Sequence, residues 1–156
     1  MKKKIISILF MLLIVLSLTA CKDEEKESEK ENMKEELTLD EEKWNKMWDL
    51  WTEEEIESPY EELMTYQSEI NNGGHSQYFS NVESTSNIKD ELKELKKVLP
   101  QIHIDNLDKA YKAYQILEKE DNEEAENTLD ECDDFFYENE ELINEILEER
   151  ASKIKL

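Results

Sequence analysis

Few side chains in this chain are suited to covalent or metal chemistry. There are two cysteines, Cys21 and Cys132, and two histidines, His75 and His103, beside 41 acidic residues. The histidines lack the His-Glu-x-x-His spacing of a zinc site, and no Cys-x-x-Cys pair, phosphate-binding glycine loop or twelve-residue calcium loop is present. Carboxylates are so abundant that no pair is marked as a general acid and base. The pattern predicts a protein that is not an enzyme, with no cofactor and no metal beyond weak cation binding.

Cys21 stands at the end of a segment with the composition of an export signal. Lys2, Lys3 and Lys4 precede an apolar run at residues 5–16, which only Ser7 interrupts. The run is shorter than the roughly 20 residues that a membrane-spanning helix needs, and its proportions are typical of a signal peptide. We therefore expect residues 1–20 to be removed. The alternative is an ordinary signal or anchor with a chance cysteine.

The four residues Leu18-Thr19-Ala20-Cys21 resemble the bacterial lipobox. That motif requires a thiol because the lipid is attached through a thioether, and small residues before it let the signal peptidase approach the backbone. The resemblance implies diacylglycerol on Cys21 and usually a further acyl chain, such as palmitate, on its new amino group. Two or more chains anchor a protein durably in a lipid bilayer. We expect the protein at the cell membrane, lipid-anchored on the extracytoplasmic face.

A charged segment follows the lipidation cysteine. Residues 22–36 are almost all Lys, Glu, Asp, Ser and Asn and show no apolar period, which predicts a solvated tether. The predicted organisation is a signal peptide at 1–20, a lipidated cysteine with its tether at 21–37, and a folded domain at 38–156. With Cys21 lipidated, Cys132 has no intramolecular disulfide partner. Its helical spacing from Leu129 and Phe135 predicts a buried thiol, and a reactive or pairing thiol is the alternative.

The net charge of the chain is strongly negative. It is -22 for all 156 residues and about -25 once the three lysines of the export signal are removed. Nucleic acids and anionic lipid head groups repel such a chain. Its partners are expected to be basic proteins or peptides, or cations, and not nucleic acid. Aromatic and aliphatic residues recur throughout residues 38–156, which argues against disorder.

The apolar pattern of the domain is helical. Only two glycines and two prolines are present and 38% of the residues are charged, so we predict an all-α, compact bundle-like domain of five to seven helices. A first helix is expected at residues 40–57, with a capping box between Thr38 and Glu41. Its stripe of Trp44, Met47 or Trp48, and Trp51 predicts core packing, and a ligand platform is the alternative.

Residues that commonly start or end helices predict the other helix boundaries. Ser58 is expected to cap a helix that has Pro59 at its first position, and residues 71–74 are expected to end that helix. A short helix at 75–81, a loop through 84–86 and a helix at 87–99 follow, with Pro100 as its end. Asp105 and Asp108 have the spacing and charge of a helix start. Two further helices, either continuous or separate, are expected on either side of residue 140, after an acidic turn at 120–122.

The segment at residues 71–81 contains both glycines of the chain. It resembles the signature of a bacterial DNA-mimic-protein-like helical domain family, most members of which have no known activity. The matching residues are Asn72, Gly73, Gly74, Gln77, Tyr78, Phe79 and Asn81, and His75 stands where the family usually has a bulky aromatic. Residues 129–131 leading to residues 136–137 resemble the late acidic helix of the family. The resemblance covers roughly residues 44–147 and implies an acidic helical domain.

Two interpretations of this motif remain open. In the first, the glycines end one helix, Tyr78 and Phe79 tuck beneath it, and Gln77 and Asn81 satisfy the loose backbone groups of the turn. In the second, His75, Gln77 and Tyr78 converge in a binding pocket.

The charge pattern also bears on function. A helix rises about 1.5 Å per residue and duplex DNA carries one charge per about 1.7 Å, so acidic helices can approach the charge density of DNA. Export argues against a cytoplasmic DNA-mimic role. The leading hypothesis is therefore a membrane-anchored, non-catalytic binder of basic proteins, such as an immunity or protective lipoprotein. The alternatives are a small-ligand binding protein or hydrolase using residues 72–81, and a purely structural envelope lipoprotein.

Overall fold

A computed structural model describes residues 38–156. The expected signal peptide, the lipidation site Cys21 and the tether lie outside the described residues. The described part confirms the all-α prediction with six helices, within the predicted number. They are α1 Leu39–Thr52, α2 Tyr60–Thr85, α3 Ile88–Leu95, α4 Gln101–Leu117, α5 Glu123–Asn139 and α6 Glu141–Ser152. No helix in this part of the chain has the length and apolar composition needed to cross a membrane.

Helix α2 is the centre of the bundle and contacts α3, α4, α5 and α6. Helices α4 and α5 form the most extensive helix pair, and α1 packs on α6. The core is aliphatic and aromatic, and it includes Cys132, which is fully buried as predicted. The largest fully buried side chains come from all six described helices and include Met47, Tyr66, Tyr78, Phe79, Leu95, Leu107, Phe136, Ile143 and Leu147. Burial of this kind contributes about 1.5–3 kcal/mol for each large apolar side chain.

Helix α1 begins as predicted and ends earlier than predicted. Thr38 and Glu41 form the capping box, with the Thr38 backbone N–H donating to the Glu41 carboxylate over 2.7 Å. The helix ends at Thr52 because Glu54 adopts a left-handed conformation with φ 58°. The Glu55 and Glu54 N–H groups then bond the carbonyls of Leu50 and Trp51 in the pattern of a Schellman motif. This position is normally glycine, so no residue type at this point signals the early end.

The tryptophan stripe of α1 is half-buried. Trp44, Trp48 and Trp51 form a chain of edge-to-face contacts with ring centroids 6.1 and 5.4 Å apart. Such pairs add about 0.5–1.5 kcal/mol each to the burial of the rings. Met47 faces the core, and the indole N–H of Trp51 donates to the Thr65 hydroxyl over 3.2 Å. The stripe therefore packs on the core with one side and faces surface grooves with the other.

Three boundary predictions are wrong. Ser58 does not cap α2, because its hydroxyl donates to the Glu62 carboxylate and the cap residue is Pro59. The glycines break the helix as predicted, with non-helical backbone angles at Gly73 and Gly74, but the segment that restarts at His75 runs to Thr85 through the expected loop. Helix α4 begins at Gln101 and not near Asp105 or Asp108, since Pro100 itself, in an extended conformation, opens it.

Other boundaries agree with the predictions. Asn87 caps α3, and four apolar residues at helical spacing, Ile88, Leu92, Leu95 and Leu99, are buried, although regular helix ends at Leu95. The acidic turn at 120–122 ends with Asn122, whose side-chain oxygen accepts from the Ala125 N–H over 2.9 Å and caps α5. Helices α5 and α6 are separate, with only Glu140 between them.

Candidate functional site at the bend of helix α2

The bend of α2 depends on the two glycines. Gly74 has φ 74° and ψ -177°, a backbone region that is essentially restricted to glycine. A Cβ at Gly74 would collide with the carboxylate of Asp133, and one at Gly73 would collide with the Gln77 side chain. Gly73 has φ -171°, which any residue adopts. Gly74 is therefore the position at which the backbone requires a glycine, and α5 approaches the backbone of α2 there.

His75 restarts the helix and is completely buried. Its backbone N–H donates to Asp133 Oδ1 over 2.8 Å, and its Nδ1 lies 2.5 Å from the same oxygen. The carboxylate thus caps the second segment of α2 from another helix, where the helix dipole favours a negative charge. Because a carboxylate only accepts, Nδ1 carries a proton and donates to Asp133.

The other ring nitrogen of His75 faces a second buried group. Nε2 lies 2.9 Å from the hydroxyl oxygen of Tyr66. Tyr66 belongs to the same helix, about two turns before the bend. Burial above all raises the pKa of Tyr66, and the nearby Cys132 and Asp133 raise it further. The hydroxyl therefore stays protonated and donates to Nε2 when the imidazole is neutral. Tyr66, His75 and Asp133 form one continuous hydrogen-bonded chain.

Aromatic rings enclose this chain. Tyr66 makes edge-to-face contacts with Tyr78 and Phe136, at centroid distances of 5.0 and 5.4 Å. Phe79 lies 6.0 Å from His75 and packs on Tyr111 and Tyr114 of α4. Tyr78 and Phe79 have no exposed surface. The two aromatic residues of the motif are thus part of the core, as the structural interpretation requires.

A second set of bonds holds the segment before the bend. The Tyr137 hydroxyl donates to the Ile70 carbonyl over 2.9 Å. The Glu140 carboxylate accepts from the side-chain amides of Asn71 and Gln67 over 2.6 and 2.8 Å. Asp133, Tyr137 and Glu140 are spaced at i, i+4 and i+7, so they share one face of α5 and its continuation. This face, which we call the α5 clamp, satisfies the polar groups that the bend exposes.

Gln77 and Asn81 do not bond the backbone of the turn, which corrects the prediction for them. Their side-chain amides donate to the same oxygen of Glu69, over 2.9 and 2.7 Å. Glu69 precedes the bend and the two amides follow it, so the three residues bridge its outer side. The backbone groups that we assigned to Gln77 and Asn81 are satisfied instead by the α5 clamp.

The predicted motif residues fall into two layers. His75, Tyr78 and Phe79 lie in the core, whereas Asn72, Gly73, Gln77 and Asn81 lie at or near the surface. Asn72 lines a shallow groove of about 470 Å³, together with Trp44, Trp48 and Asn144. The ring of His75 and the amide of Gln77 have different partners and do not converge on a common cavity.

Three buried polar atoms of α2 lack partners among the described residues. They are the hydroxyl of Tyr78, Oε1 of Gln67, and Oε2 of Glu62 in the first turn of the helix. Burial raises the pKa of Tyr78, and the charges of Glu91 and Glu62 add to this effect. The pKa of Glu91 is raised to about 7, first by desolvation and then by Glu62 and Glu61. The contact between α2 and α3 is therefore a region of repulsion between carboxylates.

The second histidine is also buried. His103 donates through Nε2 to the Asn139 carbonyl over 3.0 Å, and its Nδ1 has no partner in the described part of the chain. Burial lowers the pKa of His103. Residues 38–156 contain no group of three or more His, Cys, Asp or Glu side chains arranged to hold a metal ion.

Sequence reasoning missed the partners that hold the motif in place. Tyr66, Asp133, Tyr137 and Glu140 were not among the expected site residues. Their signal was present as the spacing of Asp133, Phe136, Tyr137 and Glu140 on one helical face. It was hidden because acidic residues surround it, and only the tertiary contact shows which carboxylates point inward.

Comparison with known proteins gives one family. A protein-family model described as DMP19-like protein matches residues 62–153. No curated protein and no solved structure shows significant similarity. The matched region includes the bend of α2 and the whole α5 clamp, and it begins after α1, later than the expected start near residue 44. The chain belongs to the DMP19-like protein family.

Proposed function

We propose that the protein is a lipid-anchored, non-catalytic binding protein outside the cell, and that its acidic helical domain binds a basic protein or peptide. The anchor is the acylated Cys21 in a lipid bilayer. One concrete form is an immunity or protective lipoprotein that neutralises a basic toxin.

The observation that carries the proposal is uncompensated negative charge on a folded surface. The net charge is -22, and lysines form only four ion pairs with carboxylates among residues 38–156. Most other carboxylates face water without a cation. Such a surface attracts a cationic partner over roughly 10 Å at 0.1 M salt and accelerates association.

The sequence contains runs of adjacent acidic residues at 53–55, 61–62, 133–134 and 140–141, and they divide between folding and surface charge. In three of them one carboxylate is engaged, namely Glu62 by Ser58, Asp133 by His75, and Glu140 by Gln67 and Asn71. Their neighbours Glu61, Asp134 and Glu141 are exposed, as are residues 53–55. The exposed carboxylates therefore alternate with engaged ones, and they are the groups that a basic partner would contact.

The resemblance to a family named after a DNA-mimic protein supports an acidic binding surface in general terms. Acidic residues on helices with a rise of about 1.5 Å per residue can present charge at a density close to that of DNA. The expected export signal separates this chain from cytoplasmic DNA-binding proteins. We therefore place its partner among exported basic proteins.

The non-catalytic part of the proposal is supported by burial. His75, His103 and Cys132 have no exposed surface, so no solvent-borne substrate can reach them without a change in structure. They are the side chains best suited to nucleophilic or general acid–base chemistry at neutral pH.

The test is an affinity capture of partners from native membranes with the full-length precursor expressed in a bacterial host. Mass spectrometry of the processed protein should find acyl chains on Cys21, and Cys21→Ser should remain unacylated and leave the membrane fraction. Captured proteins are then identified at low salt and at 0.5 M salt. A basic exported protein that both forms bind at low salt and lose at high salt is the expected result.

Two findings would contradict the proposal separately. An unacylated wild-type protein in the soluble fraction would remove the anchor. Absence of any basic protein at low salt, with the domain folded by circular dichroism, would remove the binding function, since electrostatic attraction is strongest there.

A further inference from the structure

A groove lies where the start of α1 meets the end of α6. Its volume is about 670 Å³, and it is lined mainly by Asp40, Glu41, Trp44, Glu148, Ala151 and Ser152. Two other surface grooves of the described helices have smaller volumes, of about 560 and 470 Å³. The α1 side of the groove between α1 and α6 lies before residue 62, so the match to the DMP19-like family does not include it.

The chemistry of the groove suits a planar cation. Trp44 provides an aromatic wall that Trp48 supports from behind through an edge-to-face contact. Asp40 and Glu148 are exposed and make no hydrogen bond or ion pair with other described residues. Glu41 is held by the capping box and adds a fixed charge. An aromatic face beside free carboxylates is the arrangement that a guanidinium group both stacks on and bonds.

Two internal contacts show that this end of α6 already accommodates cations. Lys43 donates through Nζ to the Ser152 carbonyl over 2.8 Å, at the helix C-terminus where the dipole favours positive charge. Two residues earlier, the Arg150 guanidinium lies 5.0 Å from the centroid of the Tyr60 ring. Lys43 offsets one of the three carboxylate charges around the groove, so a net negative charge remains.

We propose that the groove between α1 and α6 binds an arginine side chain of the basic partner. The inference rests on the proposed function, because it locates the binding surface of that partner. Arginine fits better than lysine since its flat guanidinium stacks on the indole of Trp44 and bonds Asp40 or Glu148 with two N–H groups. An ammonium is compact and more strongly hydrated.

The experiment compares two peptides of equal charge, hexa-arginine and hexa-lysine, with the chain from residue 22 onward, which contains every described residue. Affinity is measured by isothermal titration at 20 mM salt, and the site is mapped by amide chemical shifts. We expect hexa-arginine to bind about 5–10-fold more tightly, a ratio typical of one added cation–π and bidentate contact. The largest shifts should fall at the α1 start and the α6 end.

Two variants and a matched control test the residues. Trp44→Leu should bring the two affinities within about 2-fold of each other while both peptides still bind by charge. Glu148→Gln, which keeps the shape, should reduce the preference for arginine. Glu138→Gln removes the same charge from an exposed site on α5 and should leave the ratio unchanged. Circular dichroism checks the fold of each variant.

The outcomes separate this inference from the proposed function. Equal affinities for both peptides, or an arginine preference that Trp44→Leu and Glu148→Gln leave intact, would contradict arginine binding in the groove but not the acidic binding function. Chemical-shift changes confined to residues outside the α1 start and the α6 end would lead to the same conclusion. Failure of both peptides to bind at low salt would overturn the acidic binding function itself.

Discussion

Replacement of Gly74 by alanine should destabilise the domain severely. The backbone there has φ 74° and ψ -177°, and a residue with a side chain pays about 1–3 kcal/mol to adopt it. The new methyl group would also displace the carboxylate of Asp133. That carboxylate accepts both N–H groups of the buried His75, and leaving buried donors unsatisfied costs about 1–3 kcal/mol each.

Together these effects predict a loss of about 3–9 kcal/mol in the free energy of unfolding. A domain of this kind has about 5–15 kcal/mol in total, so the Gly74→Ala variant should lose roughly a fifth of its stability or more. Its melting temperature should fall by more than about 10 °C. Urea unfolding followed by circular dichroism and by tryptophan fluorescence measures the difference.

Gly73→Ala is the matched control. Gly73 has an extended φ of -171°, and its added methyl would displace only the half-buried Gln77 side chain, which can rotate away. We expect a loss of at most about 1 kcal/mol, since one bond to Glu69 is disturbed while the lower conformational entropy of the unfolded chain offsets part of this cost.

A double-mutant cycle with Asp133→Ala tests the cause. If the methyl group acts by displacing Asp133, the double variant should lose about 1–3 kcal/mol less than the sum of the single losses. A Gly74→Ala variant within about 0.5 kcal/mol of the wild type would refute the reasoning, and an additive cycle would refute the role of Asp133.

Three further predictions follow from single contacts. Tyr66→Phe leaves the Nε2 atom of His75 without its buried partner and should lower the free energy of unfolding in urea by about 1–3 kcal/mol. The ¹⁵N chemical shift of that nitrogen should also change, and an unchanged shift would argue against the bond. The pKa of Glu91 is raised to about 7, so its stabilising contribution is complete below about pH 4 and is lost as the pH rises through 7. Between about pH 5 and pH 8, the melting temperature of Glu91→Gln should therefore fall less than that of the wild type. Parallel melting-temperature profiles would contradict this. Asn122→Ala removes the cap of α5 and should cost about 1 kcal/mol, whereas Asn127→Ala, within the same helix, should not destabilise.

The sequence predicted the helical core well because its apolar residues recur at helical spacing. The inward set of α3 and the buried position of Cys132 follow directly from that period. The helix cap at Thr38 was also predicted, and the cap at Asn122 lies at the end of a predicted turn. These features depend on residues close in sequence, so local patterns are sufficient to find them.

The errors share a different origin. Helix α1 ends at a left-handed glutamate where a glycine is usual, and the segment of α2 after the glycines runs to Thr85 through a predicted loop. In both cases burial in the core decides: Ile56 enters the core after the turn that ends α1, and Val82 is buried in the last turn of α2. Tertiary contacts outweighed local propensity, and these contacts are separated too far along the chain for a single sequence to show them.

The site was predictable in its location and not in its chemistry. The glycine pair and the aromatic residues after it marked residues 71–81, and the structure makes that segment the bend of α2. The sequence left open whether His75 faced a pocket. Its bonding to Tyr66 and Asp133 depends on α5, and among the many carboxylates of the chain no pattern singled out Asp133 as its partner.

The engaged carboxylates explain how the domain folds without losing its negative field. A lysine partner would stabilise an inward carboxylate but cancel its charge at a distance. Here Glu69 and Glu140 accept from amides, and Asp133 accepts from a backbone N–H and an imidazole. Hydrogen bonds from such neutral donors contribute about 1.5–3 kcal/mol to a charged acceptor and leave its net charge in place. The same carboxylates can therefore hold the bend of α2 and add to the attraction for a basic partner.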